Sequence, residues 1–216
     1  MKRRGVLLGL AGAASLSGCL SSSASDPATT TGTTGSTSTS TQRTTESTTE
    51  TQTTAEPEME TLPREPPDEA VDCGSDDLTV VDGPDGTTPS QSNGFELAAS
   101  KDTVIVGEKS TFTLTNVGDE RTGIGEIYKY GIQRRNGDEW TGIYHTPGSL
   151  WTDLAILVPP GGGYEWQFTF DRNGLERQNG HNPTYYVCSS IESGTYRFAF
   201  WGLEETVTVE FTVEAP

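Results

Sequence analysis

Between Tyr164 and Asp171 every second residue is aromatic: Tyr164, Trp166, Phe168 and Phe170 alternate with Glu165, Gln167, Thr169 and Asp171. Successive side chains of a strand point to opposite faces, so this spacing puts four rings on one face and four polar groups on the other. A helix would scatter the same rings around its circumference. The period of two recurs along the chain. Phe95 and Leu97 alternate with Glu96 and Ala98, and Phe112 and Leu114 with Thr111, Thr113 and Thr115. Tyr128, Tyr130 and Ile132 form a further face, as do Tyr196, Phe198 and Phe200. Val207, Val209, Phe211 and Val213 alternate with Thr208, Glu210, Thr212 and Glu214. Asn136-Gly137 is the preferred pair for a two-residue type I′ hairpin turn, with Trp140 opening the return strand. No stretch carries a convincing helical stripe. Short strands with one apolar face each must bury those faces against one another, which predicts two sheets packed as an all-β sandwich.

Upstream of residue 67 the composition changes. In residues 29–54, 19 of 26 positions are serine or threonine and none is apolar, so nothing offsets the entropy of ordering. From Glu56 the tract turns acidic and proline-rich, with Pro57, Pro63, Pro66 and Pro67. Residues 19–66 are expected to form a disordered Thr/Ser/Pro-rich stalk, a compositional candidate for O-glycosylation. Residues 1–18 combine basic Lys2, Arg3 and Arg4 with an apolar run too short to span a bilayer, the pattern of a signal peptide. Leu16-Ser17-Gly18-Cys19 resembles a lipobox, and Arg3-Arg4 with Leu7 resembles a twin-arginine export signal. The resemblance implies cleavage before Cys19, lipid on Cys19 and a mature protein held at the extracellular face of the cell membrane. Two acyl-type chains, which lipoprotein modification supplies, suffice for a stable anchor.

The chain carries a formal charge of -17 and only four lysines, a composition similar to the proteins of salt-loving archaea. So acidic a surface repels nucleic acid and anionic lipid. With Cys19 lipidated, Cys73 and Cys188 are the two cysteines left in a non-reducing compartment, and a disulfide between them is expected.

Ser193-Gly194-Thr195-Tyr196-Arg197-Phe198 resembles the tyrosine-corner strand of immunoglobulin-like domains. The order from Lys109 to Val213 is similar to bacterial-type immunoglobulin-like domains of surface and secreted proteins: a T-F-T-L-T-N strand, a Y-x-Y-x-I-x-R hairpin, a P-x-G-G-x-x-x-W turn and strand, then G-T-Y-R-F. The chain thus resembles a haloarchaeal twin-arginine-exported lipoprotein in which residues 67–216 form an immunoglobulin-like antiparallel β-sandwich. Phe198 stands where that family's disulfide pin would be.

No nucleophile–base constellation is legible. His145 and His181, the only histidines, fall in expected loops, and no paired metal-ligand spacing occurs. The acidic turns 72–77 and 82–86 offer oxygens but reproduce no complete calcium loop. No cofactor is expected. Trp140, Tyr144 and Trp151 are either core aromatics or a recognition patch, and residues 176–182 lie in a long polar insert of binding-loop character. The expected role is non-enzymatic: binding of a surface protein or glycan, or an envelope component. The alternative implied by the resemblance is a proteinase inhibitor.

Residues 67–216 hold 24 acids against 9 lysines and arginines, a net of -15 on one domain. Such a surface repels itself until screened. The melting temperature is expected to climb steeply from dilute buffer to molar potassium chloride; a flat response would refute the charge argument.

Overall fold

The computed structural model describes residues 57–148 and 150–216; the leader, Cys19 and the stalk to residue 56 lie outside the described residues. The regular structure of the described chain is almost wholly β. Its first strands are β1 (Met59–Thr61), β2 (Thr79–Val80), β3 (Gln91–Ser92), β4 (Phe95–Ala99), β5 (Thr103–Ile105), β6 (Lys109–Asn116) and β7 (Thr122–Gly125). There follow β8 (Tyr130–Asn136), β9 (Glu139–Gly142), β10 (Tyr144–Thr146), β11 (Ala155–Val158) and β12 (Gly163–Thr169). The short helix α1 (Arg172–Leu175) then precedes β13 (Tyr186–Val187), β14 (Gly194–Phe200) and β15 (Val207–Glu214).

Two five-stranded sheets dominate, in the orders β1-β12-β6-β4-β3 and β5-β15-β14-β8-β9. Their apolar faces meet through rings. Phe112 of β6 stacks on Phe198 of β14 at 4.5 Å between centroids and 8° between planes. Trp166 of β12 lies 5.0 Å from Phe198 and 5.4 Å from Phe200. Buried in this layer, the Trp166 indole still donates to the Ile127 carbonyl at 2.9 Å. The alternation expected for β4, β6, β12 and β14 thus resolves into one buried and one wetter face for the first three. In β14 the outward Arg197 and Ala199 are buried as well. The Tyr196 hydroxyl reaches back four residues to donate to the Glu192 carbonyl at 2.7 Å.

Four expectations need correction. The domain begins before residue 67: β1, expected to belong to the stalk, pairs in parallel with β12, and Leu62 beyond it is buried. Met59 and Leu62 are the apolar residues of that proline-rich tract, and the β12 edge offers their backbone a ladder. The pairing is not purely antiparallel either, since β5 also joins β15 in parallel after the chain crosses from one large sheet to the other. Third, the β8–β9 turn is Gly137-Asp138, between the paired Asn136 and Glu139. Only Gly137 there has positive φ, +66°, as a type II′ turn requires of its first central residue. The type I′ Asn-Gly turn sits instead at Asn93-Gly94, φ +49° and +79°, joining β3 to β4. Finally, the insert before β14 has structure of its own. Asp171 caps α1 by accepting from the Gly174 amide at 2.7 Å, and Arg177 pairs with Tyr185 across a bridge.

Cys73 and Cys188 form the expected disulfide, with Cα atoms 5.4 Å apart. It fastens the end of β13 to the loop before β2.

Because Phe198 contacts rings of both sheets, Phe198→Ala is expected to cost about 3–5 kcal/mol by truncation and cavity formation. Denaturant unfolding of the two proteins measures it; a loss below about 1 kcal/mol would mean the sheets are not held there.

Candidate functional site

The insert's conformation explains a half-buried tryptophan pair at one edge of the domain. Trp201 follows β14 directly, and its amide donates to the Lys129 carbonyl at 3.0 Å. Its ring rests over Gly131, where a Cβ would come within 3.0 Å of a ring carbon. Trp151, between β10 and β11, meets it edge to face at 5.6 Å and 86°. Three bonds from the insert hold that segment. The Trp151 indole donates to the Tyr185 hydroxyl at 3.1 Å, and the Thr152 amide and hydroxyl donate to Asn182 Oδ1 at 3.1 and 3.2 Å. The polar insert is therefore a bracket for Trp151 rather than a free loop, and the disulfide secures its far end.

The two indoles, with Asp82, Gly83, Pro84 and Thr206, line an open cleft of about 260 Å³. Its opposite wall is the 82–86 turn, which sits on a buried cation. Arg197 points away from the aromatic layer yet is only 1% exposed. Its Nε donates to Gln133 Oε1 at 2.7 Å, one Nη donates to the Gly86 carbonyl at 2.6 Å, and the other to the Pro84 carbonyl. The Trp140 ring covers the guanidinium at 4.4 Å, with Arg135 at 5.8 Å from the same ring. Burial pulls the Arg197 pKa down, while Glu210 and Asp85 push it back up. Two oxygens of the turn weighed for calcium are thus accepting from arginine. Among the described residues no group of three or more His, Cys, Asp or Glu is placed to hold a metal ion.

The segment that carries Trp151 also exposes leucines. Leu150 is 87% exposed, Leu154 58% and Leu157 66%, the last on β11, which pairs with β7 in a separate two-stranded ribbon. Leu154 shares a hollow with Trp201, and Leu157 lines another with Met59 and Tyr164, so the exposed apolar surface spreads along this segment from the indoles.

The three aromatics weighed together part ways. Tyr144 is fully buried, Trp140 covers Arg197, and Trp151 alone reaches the cleft. His181 is exposed, whereas His145 lies within β10 between β13 and β2, half-buried and not in a loop. Trp201 and Arg197 went unrecognised in the sequence. Arg197 had one signal, a guanidinium amid an aromatic strand; Trp201 had only its place at the end of that strand.

No family model matches the chain, and no curated protein matches it. Among solved structures, an alkylpurine DNA glycosylase of Pseudomonas fluorescens bound to DNA containing an abasic-site analogue is 12% identical, at a TM-score of 0.30, over 56% of this chain and 31% of that one. A β-glucosidase from Listeria innocua is 15% identical at 0.28, over 56% and 16%. A β-glucosidase from Erythrobacter marinus is 12% identical at 0.28, over 56% and 15%. The matches span a third or less of those chains, and at such TM-scores the likeness assigns neither fold nor activity.

Behind the cleft, Tyr185 donates to the Tyr130 carbonyl at 3.0 Å and stacks on Tyr144 at 4.8 Å. Burial raises the pKa of Tyr130, Tyr144 and Tyr185 above the ordinary phenol value. A raised folded-state pKa favours the protonated, folded form, so this stability is complete below the unfolded pKa of about 10 and is lost as pH rises beyond it. Urea unfolding at stepped pH is expected to show a loss setting in above about pH 10. The Tyr144 hydroxyl has no protein partner, so Tyr144→Phe is expected to be near neutral at pH 7 and to make the alkaline loss shallower. An unchanged slope of stability against pH above about 10 in that variant would refute the assignment.

Proposed function

We propose that this chain is a lipid-anchored surface protein whose folded part is an immunoglobulin-like β-sandwich that binds a protein partner and catalyses nothing. The observation that carries the binding role is the exposure of Leu150, Leu154 and Leu157 on the segment that brings Trp151 to the Trp151–Trp201 cleft. Tryptophan is enriched among residues that dominate interface energetics, and exposed aliphatics gain most against another protein's apolar surface. A sugar would stack on the indoles but draw little from Leu150, Leu154 and Leu157. The cleft's rigidity supports the same reading, since its walls are held before any partner arrives and little ordering cost remains.

Two features support the immunoglobulin-like assignment: five-stranded sheets meeting face to face, and the Tyr196 hydroxyl bonded to the backbone four residues upstream. Anchorage rests on the lipobox-like Leu16-Ser17-Gly18-Cys19 and the export-type leader. A tether of about 40 residues, from Cys19 to the start of β1, keeps a binding module concentrated at the surface, an advantage for docking and none evident for turnover of a diffusible substrate. Asp82 is the single carboxylate lining the cleft, while glycoside hydrolysis in its usual form needs two flanking the bond.

A photo-crosslinking residue in place of Leu154, in the protein displayed on its own cells, is expected to yield a discrete protein adduct. Trp151→Ala in the same background is expected to reduce the yield about tenfold, equivalent to about 1.4 kcal/mol. A carbohydrate adduct, or a yield indifferent to Trp151→Ala, would overturn the protein-partner reading. Turnover of an ester, peptide or glycoside abolished by Asp82→Asn would overturn the non-enzymatic one.

A further inference from the structure

In a domain with so large an excess of acid, one cavity is lined by three cations and no carboxylate. Arg64, Lys109 and Arg177 surround a space of about 280 Å³, with Gln167, Thr169 and Asn173 among the other lining residues. The geometry points to a binding site for a tetrahedral oxyanion, sulfate or phosphate, either free or as an ester on a larger molecule.

Three separate segments build it. Arg64 arrives on the chain following β1, which is pinned on both sides: the Leu62 amide donates to the Glu165 carbonyl at 2.9 Å, and the Glu65 carbonyl accepts from the Gln178 amide at 2.7 Å. Lys109 opens β6 directly opposite Thr169 at the end of β12. Arg177 follows α1 and is only 5% exposed. Its guanidinium lies 4.9 Å over the Phe168 ring, and its two Nη groups donate to the Glu176 and Gln167 carbonyls at 2.7 and 3.1 Å. Those bonds orient the fork but leave its charge uncompensated, and Nε is buried without a partner.

The neighbouring acids do not neutralise it. Glu108 is paired with Lys101 at 2.9 Å, Asp171 caps α1, and Glu176 accepts from Arg172 and from the Val187 amide. Among the described residues, none of Arg64, Lys109 and Arg177 belongs to an ion pair. Three like charges gathered around a hollow repel, and a nearly buried guanidinium without a counter-charge is costly. An oxyanion relieves both. Arginine's planar fork matches sulfate and phosphate geometry, lysine adds a point charge, and the Gln167 and Asn173 amides are further donors. At roughly 30 Å³ per water, the space admits one such group with part of its hydration, and falls short of the ~300–1,000 Å³ of a drug-sized site.

The test titrates the full chain with sodium sulfate, sodium phosphate, glucose 6-sulfate and glucose, replacing sodium chloride at constant ionic strength and following heat and melting temperature. Saturable single-site binding of at least one oxyanion probe, absent for glucose, is expected. Arg64→Gln with Lys109→Gln is expected to weaken it at least tenfold with unchanged circular dichroism. Tighter binding of glucose 6-sulfate than of either inorganic ion identifies an ester as the natural ligand; the reverse identifies the free ion. If the double variant does not fold, Lys109→Gln alone, exposed at a strand start, is expected to weaken binding several-fold. The same response to every probe as to chloride, or equal affinity in a folded variant, would overturn the site.

Discussion

The contact between Phe112 and Phe198 is the point on which the domain depends. Neither large sheet is stable alone, because each presents a face of rings that water solvates poorly. Phe198 lies between the two sheets, and stacking of rings across the gap joins them there. Phe112 also reaches Phe211, and Trp166 bridges Phe198 and Phe200. The one disulfide lies elsewhere, at the edge, where it secures the insert that holds Trp151.

Charge is the second organising constraint, and the interior uses it sparingly. Arg197 is nearly fully enclosed without a carboxylate in direct contact; backbone carbonyls, an amide and an indole face surround it instead. Such an arrangement satisfies donors without burying a second charge, whose desolvation would cost several kcal/mol. The 82–86 turn consequently has a fixed seat, and the cleft a fixed wall. Arg177 is built on the same plan, with carbonyls and a ring, but it opens onto a cavity with two further cations. One buried arginine is therefore closed off and structural, while the other faces space.

The Asn-Gly dipeptide shows where local rules stop. It occurs at 93–94, 136–137, 173–174 and 179–180, and the first two lie between strands that pair with each other, with equal intrinsic preference for a type I′ turn. At the first site both residues take positive φ; at the second the ladder runs one residue further, and Gly137 alone does. Strand register decides between them, and register is set by the need to bury Tyr130 and Ile132 of β8 on the core face. The parallel pairings of β1 and β5 were hidden for a related reason. Each strand is three residues long and pairs with one more than a hundred residues away, so no local spacing announces its partner.

What the sequence by itself determined is whatever depends on spacing or composition: strands rather than helices, the inward aromatic face, the excess of acid, and the expected pairing of Cys73 with Cys188. Alternation along a strand is a local property and survives any arrangement of the sheets. The tertiary structure alone decided that Trp151 and Trp201 form a pair, that Arg197 lies beneath the 82–86 turn, and that Arg64, Lys109 and Arg177 meet. Those residues stand 45 or more positions apart in the first and third cases, and only long-range packing brings them together.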